Sequence, residues 1–329
     1  MPPPADARET GTIADARGGG TPSERPAPLP AGLAHSAGVA SPPSVALVAA
    51  CLLTVYLVWG STYLAIRIAV EALPPFLLAG VRALVAGAIL LAWASLRGLP
   101  RASRRESWNA ALLGLLLIAG GNGLVTWAQQ WVSSSLAAAM VSSGAIWVVV
   151  FTALLGERPS RGEKVGIFIG FAGVVLLNAQ GEMRAYPPGA LALFGATLTW
   201  ASGSVLSRRL VVPVGARNVA LQMLSGGLVM TLVGLAAGER LVVEAVTARA
   251  ALAWLYLVVA GSLVAFSAFT FLIRNVRPAL ATSFAYVNPA VALLVGVVFG
   301  GEHMGALGYA GVVVSIVGVA VLTLARRPS

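Results

Sequence analysis

Charge is scarce in this chain: Asp, Glu, Lys and Arg together make up 10% of its 329 residues. A soluble domain covers its surface with about 25% charged residues, so a soluble globular fold is excluded. Cysteine is scarcer still. Cys51 stands alone, so no intramolecular disulfide can form, and the thiol reads as a small packing residue. Histidine occurs twice, at His35 and His303. There is no HExxH, no GxSxG, no phosphate-binding glycine loop and no Cys/His metal spacing. An enzyme would be left almost without catalytic groups, and no metal or other cofactor is expected.

What the chain has is apolar length. Hydrophobic residues reach 58%, in runs of about 20 residues, each long enough to cross a hydrocarbon layer of ~30 Å. Backbone groups in such a layer must pair internally, as helices or as a closed barrel. The runs are continuous rather than alternating, so they predict an all-α integral membrane protein. Ten spans are expected, near 45–67, 75–97, 107–128, 134–156, 163–180, 188–209, 217–238, 251–273, 278–301 and 304–325. Ahead of them, residues 1–43 hold nine of the nineteen prolines and the Gly18-Gly19-Gly20 run, without apolar periodicity. That segment reads as a disordered tail rather than a signal peptide.

The net charge of +10 could suggest nucleic acid, but its distribution does not. With a cytoplasmic N-terminus, seventeen of the 22 Lys and Arg residues fall in cytoplasmic segments, four fall outside, and Arg82 lies within a span. The positive-inside rule therefore places both termini in the cytoplasm, and topology alone accounts for the basic excess.

Residue i set against residue i + 145 aligns Gly156-Glu157 with Gly301-Glu302, Gly173 with Gly318, and Ser143 with Asn288. At a slightly shorter offset, Trp59-Gly60-Ser61 meets Trp200-Ala201-Ser202. Five spans per half is an odd number, so the second half enters the membrane from the opposite side. The expectation is two inverted five-helix repeats, residues 44–180 and 188–325, with substrate bound near the midplane between them. Gly166 and Gly170, four apart, point to close helix packing within the chain, with a homodimer as the lesser alternative.

Depth selects the candidate residues. At 1.5 Å per residue, Ser143 lies ~14 Å and Asn288 ~15 Å from opposite membrane faces. Trp59 and Trp200 fall near the centre, and Tyr63 shares a helix face with Trp59. Trp108, Trp127, Trp131 and Trp254 suit interfacial anchoring. Trp59, Trp147 and Trp200 lie too deep for that and are expected in a cavity wall, with helix packing as the alternative. Arg82, ~10 Å inside the second span, either meets a substrate carboxylate or binds helix carbonyls in a structural or gating role. Asn122 sits among Gly120, Gly121 and Gly123, and Pro289 after Asn288 frees a backbone carbonyl and kinks the helix. Glu157 and Glu302 occupy matching span ends, as helix caps or, more simply, as partners of a nearby arginine. No carboxylate or histidine lies deep in a span, so no proton relay is readable.

The stretches WGSTYLAIRIAVEALPPFLLAGVRALVAGAILL (59–91), GGNGLVTWAQQ (120–130) and RPALATSFAYVNPAVALLVGVVFGGE (277–302) resemble the EamA-type transporters of the drug/metabolite transporter superfamily, in its YedA-like branch. The resemblance covers residues 45–325. It implies ten helices in two inverted repeats and export of small metabolites, often amino acids, through a central cavity open alternately to each side. It also marks Trp59, Arg82, Asn122, Tyr286, Asn288 and Pro289 as motif positions. Ala128-Gln129-Gln130 departs from the Ala-Glu-Gln common in relatives, which puts ion coupling in doubt. Ser133-Ser134-Ser135 replaces a turn that usually contains proline. The expected function is an inner-membrane exporter of amino acids or similar metabolites, with a small-molecule substrate and membrane lipid as partners. A multidrug exporter, a non-transporting scaffold and a lipid scramblase are the alternatives.

Overall fold

The computed structural model describes residues 44–156, 159–178, 186–276, 283–303 and 305–325. The expected tail, residues 1–43, lies outside the described residues, as does Glu157. The described residues fold into helices joined by short turns. In chain order these are α1 (Val45–Ala69), α2 (Pro75–Leu96), α3 (Arg104–Ala128), α4 (Ser134–Leu154), α5 (Arg161–Asn178), α6 (Pro187–Ser207), α7 (Ala216–Ala236), α8 (248–275), α9 (Phe284–Gly300) and α10 (Ala306–Leu324). Seven of them are long and apolar enough to cross a membrane, and shorter apolar helices lie within α9 and α10.

Local sequence explains where the helices start. Ser103 and Glu106 form a reciprocal capping box at α3, and Ser160 and Glu163 repeat it at α5. Ser133 caps α4 and Thr247 caps α8, while Pro75 and Pro187 sit in first turns that have no use for their missing N–H. Outward faces carry bare apolar side chains such as Leu57, Leu191 and Phe299. Those are the faces a bilayer covers.

The repeats meet through glycine. The most extensive helix contacts join α5 to α10 and α2 to α7, the fifth and second helices of each half. Gly170 touches the backbone at Gly318, and Gly173 lies against Ser315. A Cβ at Gly80 would overlap Thr231, and one at Gly227 would meet the Gly80 carbonyl. In lipid, where helix association rests on close packing, small residues are what allow it. The Gly166–Gly170 face is thus occupied inside the chain by α10.

Two elements depart from simple helices. Both α3 and α8 contain long π-helical stretches, Gly114–Gly123 and Leu257–Ala265, at equivalent places in the two repeats, and α1 has a shorter one at Val55–Trp59. α4 is interrupted at Ser143, where Ser143 N–H bonds the Met140 carbonyl in a tight i→i−3 turn before the helix resumes at Gly144. π-Bulges concentrate at functional sites because they turn backbone groups out of the regular ladder.

Candidate functional site

The interrupted and π-bulged helices surround a cavity of about 190 Å³. Its wall draws on both halves: Trp59, Thr62, Tyr63, Arg82, Asn122 and Ser142 from the first, and Trp200, Ser204, Arg208, Gly261, Phe266, Phe284 and Asn288 from the second. On α6 the residues Ala196, Trp200, Ser204 and Arg208 line it at four-residue intervals, one helix face running to the exposed Arg208.

Trp59 is fixed by a cage. Its indole N–H donates to the Gly261 carbonyl at 3.2 Å, within the π-stretch of α8. Phe266, Phe269 and Phe284 surround the ring at centroid distances of 5.3, 5.0 and 5.0 Å. Trp200 instead lies against Gly121, where a Cβ would overlap its ring. The glycines beside Asn122 therefore admit a neighbouring helix as well as accompanying the π-bulge.

Arg82 is buried, at 8% exposure, and its guanidinium donates to Asn122 Oδ1 at 2.9 Å. Its Nε–H has no partner among the described residues. No carboxylate lines the cavity among the described residues, so the cation is held by a neutral amide alone. From the second repeat Asn288, 6% exposed, also lines the cavity and leaves its Oδ1 unpartnered among the described residues. An orphaned buried polar atom costs about 1–3 kcal/mol, a cost that a ligand meeting it removes. Next to it, Pro289 sits inside α9 and has no N–H, so the carbonyl of Ala285, a cavity residue, lacks its helical donor.

Of the residues singled out by depth and motif, Trp59, Tyr63, Arg82, Asn122, Trp200 and Asn288 share this cavity. Ser143 and Trp147 are off its wall; Ser142 and Gly144 are on it. The turn at Ser143 shifts the phase of the helix, and its hydroxyl bonds back to the Met140 carbonyl at 2.6 Å. Trp147 packs toward Phe151 and Phe194 at 6.2 and 5.5 Å. The Tyr286 side chain lies outside the described residues. Ser204, weighed from sequence as more simply bonding its own helix, does bond the Trp200 carbonyl at 2.7 Å and also lines the wall. Phe266, Phe284 and Arg208 were not singled out by sequence, and the four-residue spacing from Trp200 was the available signal for Arg208.

Beyond Tyr63 and Val125 of the wall lies a hydrogen-bonded cluster. Gln129 is fully buried; its Nε2 donates to the Tyr63 carbonyl at 2.8 Å, and its own carbonyl accepts from Arg67 at 2.6 Å. Glu302 accepts from Ser134 N–H at 2.7 Å and from Ser135 N–H and hydroxyl at 3.2 and 2.7 Å. It caps α4 from the far end of α9, where an arginine partner was the simpler expectation. A helix N-terminus favours an anion, and the turn with Gly301 at φ +63° brings the carboxylate there. Glu239, after Gly238 at φ +82°, does the same for α2, accepting from Phe76 and Leu77 N–H at 3.1 and 2.8 Å.

The EamA-like transporter family matches residues 46–179 and 187–324, once for each half. The uncharacterised inner membrane transporter YedA of Escherichia coli K12 is 43% identical over 84% of this chain and 90% of its own length. Protein PecM of Dickeya dadantii is 29% identical over 74% of this chain and 80% of its own. The aromatic amino acid exporter YddG of Ancylobacter novellus is 31% identical over 47% of this chain and 56% of its own length. A solved crystal structure superposes with a TM-score of 0.65 and 25% identity, covering 87% of this chain and all of the other.

Proposed function

Because the chain belongs to the EamA-like transporter family, we propose that it is an inner-membrane exporter of amino acids or related small metabolites, both termini cytoplasmic. It is a membrane transporter of the EamA type; its cargo, direction and orientation are the proposal. The observation that carries the cargo is the wall itself: five aromatic rings from both halves, and a buried arginine facing no carboxylate among the described residues. Aromatic walls take an apolar body. A guanidinium held only by Asn122 can turn its donors to a carboxylate, in a site where the pair is little screened.

Alternating access follows from the same layout. On this reading the hydrogen bonds of Gln129, Glu239 and Glu302 seal one end, and the cavity reaches the surface at Arg208. With the basic segments cytoplasmic, this is the inward-facing state. Rocking of the halves would break the seal and close the Arg208 end. YddG, a partial relative named for aromatic amino acids, supports the cargo reading. A multidrug exporter of organic cations is disfavoured by a cavity wall that carries Arg82 and Arg208 and no carboxylate among the described residues, and a scaffold by the connected cavity.

The test is efflux from proteoliposomes loaded with phenylalanine or with phenethylamine, which lacks the carboxylate. Phenylalanine should leave at least ~10-fold faster, and Arg82→Gln should erase that preference. Equal efflux of both compounds, or none from folded protein, would overturn the reading.

A further inference from the structure

Arg82 accounts for one charged end of a zwitterionic cargo, and the cavity wall also carries the unpartnered Asn288 Oδ1. We propose that Asn288 and the Ala285 carbonyl freed by Pro289 form an ammonium subsite, so that the transporter selects zwitterions over organic acids. This rests on the transport reading above and adds the second charge of the cargo.

Asn288 Oδ1 is an acceptor, buried and without a partner among the described residues. The Ala285 carbonyl, one turn earlier on α9, is an acceptor whose helical donor was removed by the proline ring. The unpartnered Asn288 Oδ1 and a carbonyl deprived of its helical N–H, three residues apart on one helix face, select a group that only donates, and an ammonium does so with three N–H bonds. A side-chain amide turns readily about its last torsion, so Asn288 can present its oxygen to an entering ligand. A neutral subsite also limits what it takes. Without a carboxylate it is too weak to hold a free amine, so the ammonium is accepted only when the same molecule brings an anion for Arg82. That logic gives the two repeats complementary parts: Arg82 comes from the first repeat and Asn288 from the second. A molecule engaging both spans the two halves. A ligand drives a conformational change only through what it binds differently in the two states.

The experiment compares efflux of phenylalanine and 3-phenylpropanoate, which keeps the carboxylate and lacks the ammonium, in wild-type protein and in Asn288→Leu. Wild-type protein should prefer phenylalanine at least ~10-fold. Asn288→Leu should lower phenylalanine efflux to about the 3-phenylpropanoate rate and leave that second rate within about twofold. A misfolded variant lowers both, so the ratio reports the subsite. Asn288→Asp keeps the polar group, and the added charge should admit phenethylamine. Equal efflux of phenylalanine and 3-phenylpropanoate by wild-type protein overturns the subsite and leaves the exporter standing. An undiminished preference in Asn288→Leu overturns it as well. No efflux of any aromatic compound from folded protein overturns the exporter reading and the subsite together.

Discussion

The turns after α2 and after α7 share a backbone and differ in chemistry. Gly98 and Gly238 both take positive φ, +64° and +82°, and in each case the next residue's N–H bonds five residues back, Leu99 to Ala94 and Glu239 to Gly234. Inverted repeats place these two turns at opposite ends of the bundle. At one end Glu239 caps the first turn of α2 with its carboxylate. At the other, Leu99 offers only its carbonyl, which accepts from Arg217 at 3.0 Å. Symmetric backbone with asymmetric side chains is what a two-state transporter needs. On the alternating-access reading proposed above, the shared turns would let either end close, and the side chains would decide which closed end is more stable.

The largest change expected from breaking this asymmetry is at Glu302. Glu302→Ala removes three hydrogen bonds from the N-terminus of α4 and should weaken the seal by about 2–3 kcal/mol. A maleimide reporter at Ala137→Cys, fully buried in this state, should label faster in a Cys51→Ser background. Unchanged labelling would mean that the carboxylate stabilises α4 without holding the end shut. Glu239→Ala removes two bonds from α2 and should cost about 1–2 kcal/mol. The two losses should add if the caps act independently, and exceed the sum if the end opens as one unit.

How much of this was readable beforehand depends on the kind of information. Helix positions were legible because a bilayer imposes length and continuous apolarity, and the starts of α2, α4 and α6 fall within a residue of those expected. Close packing of the Gly166–Gly170 face within the chain was legible from the four-residue spacing, but its partner helix α10 and the contact of Gly80 with Gly227 were not. Glu302 was visible as a span-end acid, but its partner was not: a cap between distant helices leaves no periodicity in either one. Glu239 was missed for the same reason. The phase of α4 was misjudged because uniform helical geometry was extrapolated through Ser143, so Ser142 and not Ser143 reaches the cavity. The π-stretches were invisible apart from the glycines beside Asn122, since a change of ladder from i−4 to i−5 alters no residue type.

The smallest expected effect sharpens the comparison instead of breaking it. Leu99→Glu gives the turn after α2 the acid that its counterpart has. Arg217 stands beside it, 9% exposed, with its Nε–H unpartnered. A carboxylate there can take that donor, and the α7 N-terminus adds a favourable field. The gain should be no more than ~1 kcal/mol, because an exposed turn screens the charge. It should appear as a rise in midpoint of roughly 2–4 °C in detergent. The same substitution should slow phenylalanine efflux from proteoliposomes, because it ties the Arg208 end more firmly in the state where that end must close and reopen. Faster efflux would show that the two ends are already balanced. A lower midpoint would show that Leu99 packs against its neighbours more favourably than an acid can replace.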